Sequence, residues 1–139
     1  MSISEIAKLR VGDMLEPMTH NPISRTTLAL FAGASGDHNP IHIDVDFAKS
    51  VGMDDVFAHG MLGMAYLGRF LTSIADQRNI RSYSVRFSSI TQVGAKLKCI
   101  GKVIEITDTS AERLMTIELS VTDQNNDVKL IGDAVIAFQ

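Results

Sequence analysis

From His59 or Gly60 to about Ile74 this chain is apolar on nearly every face of a helix. Met61, Leu62, Met64, Ala65, Leu67, Phe70, Leu71 and Ile74 leave almost no polar stripe. Such a helix is stable only when other elements cover it. Gly60, Gly63 and Gly68 each cost up to ~1 kcal/mol relative to alanine, so tertiary packing must hold the segment. The same small residues let another backbone come close. Arg69 interrupts the run, which falls short of the ~20 apolar residues that a bilayer demands. The rest of the chain therefore has to wrap around one central helix.

The cover is legible downstream. After residue 80 the period changes from helical to alternating. Tyr83, Val85 and Phe87 alternate with Ser84, Arg86 and Ser88, and 97–106 reads as a second strand with a less regular pattern. Met115, Ile117, Leu119 and Val121 alternate with polar residues, and Leu130, Gly132, Ala134, Ile136 and Phe138 form a last inward row. Val93-Gly94, Asp108-Thr109-Ser110 and Asp123 to Asp127 are the turns. Upstream, Val11-Gly12-Asp13 is a turn and 14–25 an extended segment broken at Asn21-Pro22. A helix over 26–34 is capped by Ser24 or Thr26 and stopped by Gly36. Asp44 caps a short helix through Phe47, Ala48 and Val51, with Gly52 as its stop. The expected class is α+β, an antiparallel sheet curled around one central helix. A chain of 139 residues fits one domain, 1–139. Its core is small and its sheet leaves an apolar edge, so a homodimer or higher homo-oligomer is expected.

Charge and cysteine content exclude several classes. The net charge is −3, with no tryptophan and no Lys/Arg run, so nucleic acid has no electrostatic footprint here. Cys99 stands alone, without a disulfide or CxxC partner, which fits a reducing, cytoplasmic compartment. Met1 to Glu5 lack the basic start and apolar core of a signal peptide, and no membrane association is expected.

Chemistry concentrates in 34–44, Ala-Ser-Gly-Asp-His-Asn-Pro-Ile-His-Ile-Asp. Pro40 pushes Asn39 out of helical geometry, so 37–42 is a loop. A loop of this kind can aim Asp37 and His42 into one volume, and a carboxylate beside an imidazole is the minimum apparatus for moving a proton on and off water. Taken singly, each has a structural reading: Asp37 as an Asx-turn residue, His42 as a hydrogen-bonded loop histidine. His38 is read as surface. Asp37, His42, Asp44 and His59 lack metal-ligand spacing, so no metal is expected. Met53, Met61 and Met64 are read as core filler. Lys96, Lys98 and Lys102 read equally well as solvated strand charges.

Phe31-Ala32, Ser35-Gly36-Asp37, Asn39-Pro40-Ile41-His42 with Asp44, Phe47-Ala48, Gly52 and Ala58-His59-Gly60-Met61-Leu62 form an ordered signature over about a quarter of the chain. It resembles the MaoC-like dehydratase family, the (R)-specific enoyl-CoA hydratases and 3-hydroxyacyl-thioester dehydratases of the hot-dog fold. Ser84-Val85-Arg86-Phe87 is similar to the strand that follows the central helix in such dehydratases. The resemblance implies Asp37 and His42 as the catalytic pair. It implies the Gly60 amide as the group that holds the thioester oxygen, and Asn39 as the residue that fixes the loop. His59 is expected to orient the loop or the helix start near the substrate. Two positions depart from the family. Its (R)-hydratases often carry serine where this chain has Gly68, so the acyl pocket or the loop's hydrogen bonding should differ. Ile90, Gly94 and Ala95 replace the family's Pro and Gly-Asp turn.

The implied reaction is reversible syn addition of water to a trans-2-enoyl thioester, carried on coenzyme A or acyl carrier protein, without a cofactor. Negative charge builds on the thioester oxygen as an enolate, where a fixed N–H at a helix start meets it. One alternative within the fold is a hot-dog acyl-CoA thioesterase. Those enzymes place a carboxylate on the central helix, and no Asp or Glu lies between Gly60 and Ile74. The other is a non-catalytic acyl-thioester-binding subunit of a heteromeric dehydratase, which should have lost Asp37, His42 or Gly60.

Overall fold

The computed structural model describes residues 2–138. Met1 and Gln139, the ends of the expected domain, lie outside the described residues. The elements run in the order α1 (Ile3–Ile6), β1 (Met18–Thr19), α2 (Arg25–Ser35), α3 (Val45–Ser50), α4 (Gly60–Ile74), β2 (Ile80–Phe87), β3 (Lys98–Asp108), β4 (Arg113–Thr122) and β5 (Val128–Phe138). Short 3-10 turns occupy Pro40–His42 and Gln77–Asn79. The strands form one antiparallel sheet in the order β1-β3-β4-β5-β2. It curls around α4, the hot-dog arrangement.

The alternating residues fall into register across the sheet. Val121 pairs Leu130, Leu119 pairs Gly132, Ile117 pairs Ala134 and Met115 pairs Ile136. Gly132 and Ala134 in turn face Val85 and Tyr83. These rows meet the buried side of α4, where Leu67, Phe70 and Leu71 are at most 1% exposed. Each such side chain contributes roughly 1.5–3 kcal/mol of burial, far more than the helix glycines cost. Gly63 is one reason α4 sits so close: a Cβ there would come within 2.9 Å of Leu130. The irregular pattern of β3 has a local cause, a register shift between Val103 and Glu105 that resets which side chains point inward. Burial pushes the Cys99 thiol up to about 12.

Caps act where the sequence places them. The Ser24 side chain accepts the Thr27 amide at the start of α2, and Gly36 ends it at φ 77°. Asp44 accepts the Phe47 amide at the start of α3. Three expectations need correction. The loop 37–42 is part 3-10 turn, because Pro40 supplies a preset φ at its first position. Nor is α4 covered all round: Met61, Ala65, Arg69 and Thr72 form an exposed stripe. Met61 is 54% exposed and is not core filler. The stripe is open because a cavity of about 490 Å³, bounded by Phe31 of α2 and Tyr83 of β2, runs over this face. Among the described residues no helix is long and apolar enough to cross a membrane.

Candidate active site

Local hydrogen bonds build the segment between α2 and α3 residue by residue. Past Gly36, the Asp37 amide donates to the Ser35 hydroxyl at 3.2 Å, and Asp37 Oδ1 accepts the Asn39 amide at 3.2 Å. Asn39 Oδ1 then accepts the Ile41 amide at 3.0 Å and caps the turn that carries His42. The Asp44 amide closes it on the Pro40 carbonyl at 2.8 Å. Short Asx side chains thus satisfy the backbone of a segment too short to satisfy itself. Asn39 works through this cap.

The turn brings Asp37 and His42 together. Oδ2 of Asp37 and Nε2 of His42 stand 4.0 Å apart, the carboxylate side chain 54% exposed and the imidazole 11%. That is too long for a direct hydrogen bond. Both atoms are nevertheless within reach of one water oxygen, which at about 2.8 Å from each would hold them at an angle of roughly 90°. The other ring nitrogen of His42 is committed. Nδ1 lies 2.7 Å from the Phe57 carbonyl, which can only accept, so Nδ1 carries a proton, and in the neutral ring the lone pair is on Nε2, the nitrogen toward Asp37.

His59 supports both partners from behind. It is 2% exposed. Its ring stacks on His42 with centroids 3.9 Å apart and meets Phe31 edge-on at 5.0 Å. Nε2–H donates to the Asp37 carbonyl at 3.1 Å. Burial holds its pKa below the ordinary histidine value; the bond to Asp37 opposes the shift and nearby His42 adds to it. Nδ1 is buried with no partner among the described residues, so the neutral tautomer with hydrogen on Nε2 avoids an orphaned N–H, which costs roughly 1–3 kcal/mol.

One ligand atom each from Asp37, His42 and His59 lies within 4.8 Å of the others, close enough to consider a metal. Ligation through His59 Nε2 would break its bond to the Asp37 carbonyl, whereas Nδ1 has no partner among the described residues.

Gly60 opens α4. His59, at the capping position, makes no side-chain cap, and among the described residues the amides of Gly60 and Met61 meet no acceptor. Two unspent donors at the positive end of a 15-residue helix form a site for developing negative charge. Gly60 lines a cleft of about 450 Å³ with Phe57, Phe87 and Thr91. A Cβ at position 60 would lie 2.9 Å from the Phe87 ring, so the cleft is cut to glycine. Asp37 lines the neighbouring apolar cavity with Phe31, Met64 and Tyr83, and Met61 borders both. His38 is exposed, and Asp44 is spent on α3. The Phe57 carbonyl carries no local sequence signal, and the alternation that marks Tyr83 and Phe87 does not show the bond from the Tyr83 hydroxyl to the Met64 carbonyl at 2.7 Å or the approach of Phe87 to Gly60.

A family model described as MaoC like domain matches residues 7–125. The mitochondrial 3-hydroxyacyl-(acyl-carrier-protein) dehydratase of Arabidopsis thaliana is 23% identical over 137 residues, 99% of this chain and 81% of that one. The 3-hydroxyacyl-thioester dehydratase Z of Mycobacterium tuberculosis is 27% identical over 92 residues, and the match spans 61% of its length. Among solved structures, the unliganded R-hydratase PhaJ1 of Pseudomonas aeruginosa superimposes with a TM-score of 0.84 at 26% identity, over 96% of this chain and 84% of that one.

Proposed function

The chain belongs to the MaoC-like dehydratase family, and from that premise we propose that it is an (R)-specific enoyl-thioester hydratase working reversibly as a 3-hydroxyacyl-thioester dehydratase. The observation that carries this is the 4.0 Å gap between Asp37 Oδ2 and His42 Nε2, with Nδ1 of His42 already committed to Phe57. His42 takes a proton from the water held between them. The remaining hydroxide adds to the β-carbon of a trans-2-enoyl thioester, and the displaced electron pair moves onto the thioester oxygen. The Gly60 amide receives that oxygen, a contact worth about 10²–10³ in rate. The Asp37–His42 pair returns the proton to the α-carbon, which leaves the substrate larger by one water. Both pieces arrive from the same pair of groups, hence on one face.

The apolar cavity beside Asp37 takes the acyl chain, and the cleft at Gly60 takes the thioester arm of coenzyme A or acyl carrier protein. Residues 1–139 form one domain in this proposal, acting in the cytoplasm as a homodimer. Two observations favour a second copy: among the described residues one edge of β2 pairs with no strand, and beside it Met61 and Phe87 are 54% and 53% exposed.

Crotonyl-CoA hydration is the direct assay, read by loss of the enoyl absorbance, with chiral analysis of the product. Asp37→Asn and His42→Ala should each lose about 10²–10⁴ in kcat. Full activity in both variants would remove the assigned roles. Release of free thiol in place of hydration would favour the thioesterase alternative.

A further inference from the structure

The hairpin after β4 contains a lysine that the chemistry above does not use. Lys129 is 4% exposed. A buried ammonium is tolerated only when paired and hydrogen-bonded. Its Nζ donates to Asp127 Oδ2 at 2.6 Å and lies 3.5 Å from Asp123 Oδ2. Closing the turn does not need this cation, because Asp123 Oδ1 already accepts the amides of Asn125 and Asp127 at 2.9 and 3.0 Å.

Its third contact leaves the hairpin. Nζ donates to the carbonyl of Ile90 at 2.8 Å, 39 residues away in sequence. Around it the Ser88 amide donates to the Lys129 carbonyl, and the Ser89 hydroxyl to the Val128 carbonyl, each at 2.8 Å. The next carbonyl, Thr91, accepts the Ala58 amide at 2.8 Å, and Gln92 bridges Phe57. Phe57 is the residue whose carbonyl fixes the proton on His42 Nδ1, and Ala58 leads directly into His59-Gly60.

We propose that Lys129 is a positioning residue: through 90–92 it holds 57–60 in the place where the Phe57 carbonyl selects the His42 tautomer and the Gly60 amide faces its cleft. Its catalytic consequence rests on the hydratase function proposed above; the tautomer it fixes does not. A carbonyl shifted by about 1 Å is enough to cost as much as 10²-fold in rate.

The test compares wild type, Lys129→Met and Lys129→Arg on the full chain. Nitrogen NMR of the histidine rings at neutral pH reports the His42 tautomer, near-ultraviolet circular dichroism reports packing, and crotonyl-CoA hydration gives kcat and KM. Lys129→Met should stay folded and lose part of the Nδ1–H population of His42. Its kcat should fall about tenfold to a hundredfold while KM moves by less than about threefold. Lys129→Arg keeps a cationic donor for Ile90 and should recover most of both signals. A folded Lys129→Met with the wild-type His42 tautomer overturns the positioning role, whatever its stability. If Lys129→Met does not fold, Asp127→Asn takes its place: a freed Nζ should shift the His42 tautomer in the same direction by less, and an unchanged tautomer is equally fatal. Wild type without hydratase activity would remove the proposed function and leave the tautomer measurement to decide Lys129.

Discussion

The imidazoles of His42 and His59 lie face to face, centroids 3.9 Å apart and planes 27° from parallel, and only one of them has a lone pair turned toward Asp37. Two stacked imidazoles cannot both be charged cheaply. His59 is the one that burial holds neutral. In the proposed reaction it is an uncharged floor beneath the ring that exchanges protons.

The neutral floor has a consequence for stability. The folded pKa of His59 is lowered, first by burial, so the unfolded chain takes up a proton that the folded ring refuses. Stability is then fully present above the unfolded histidine value of about 6.5 and drains away as pH falls below it. His20, stacked on Tyr66 and likewise lowered by burial and by Arg69, drains in the same window. His59→Gln keeps a donor for the Asp37 carbonyl but does not titrate. Urea unfolding from pH 8 to pH 5, about 1.5 units either side of that value, should show a flatter slope for His59→Gln below ~6.5 and a parallel one above it. Parallel curves across the whole range would mean that His59 is not held neutral by the fold.

Gly60 and Phe87 make a second pair, set by how closely they approach. Alanine at 60 puts its methyl 2.9 Å from the Phe87 ring, which must shift to admit it. Removing a helix glycine gains up to ~1 kcal/mol, so Gly60→Ala should unfold at the same denaturant concentration as wild type or higher. Activity should move the other way. The methyl and the displaced ring crowd the cleft in front of an intact amide, so kcat/KM should drop at least about tenfold, short of the 10²–10³ lost with a whole oxyanion donor. A stabilised variant with undiminished kcat/KM would show that the substrate does not approach this amide.

Much of this arrangement could be read from the chain because it is local. Ser24, Gly36 and Asp44 act within four residues of the backbone they cap, and the strand rows at Tyr83–Phe87 and Met115–Val121 follow a period of two. Asp37 and His42 stand five positions apart on a self-capping turn. What stayed hidden is long-range. The His42–Phe57 bond spans 15 residues, the Lys129–Ile90 bond 39, and the Gly60–Phe87 approach has no periodic signature. The exposed stripe on α4 stayed hidden for a different reason: hydropathy cannot distinguish an apolar side chain against the core from one against an empty groove. The four-residue α1 is shorter than any periodicity can mark.

Asp37 and His42 should fail as a unit. If one water is held by both, removing either group leaves that water unbound, and removing the second costs little more. Asp37→Asn/His42→Ala should lose about as much kcat as the worse single variant, well short of the ~10⁴–10⁸ that independent ~10²–10⁴ effects would multiply to. Multiplicative losses in crotonyl-CoA hydration would mean two groups acting on different steps.

The groove over α4 sets the last expectation. The cavity beside Asp37 and a second one of about 490 Å³ that extends to Arg69 and Gln77 share Ala65, Gly68 and Tyr83. Gly68 is the passage between them. A Cβ there would lie 3.7 Å from the Tyr83 ring, an ordinary contact, so alanine fits without strain. Leucine would reach across and close the passage. If the acyl chain follows this groove, Gly68→Leu should leave crotonyl-CoA turnover near wild type and reject longer chains. Excluding the four methylenes by which an eight-carbon chain exceeds crotonyl removes about 3.2 kcal/mol of burial, roughly two-hundredfold in kcat/KM. The measurement is the ratio of kcat/KM for an eight-carbon enoyl-CoA to that for crotonyl-CoA in wild type, Gly68→Ala and Gly68→Leu. An unchanged ratio in Gly68→Leu would place the acyl chain elsewhere.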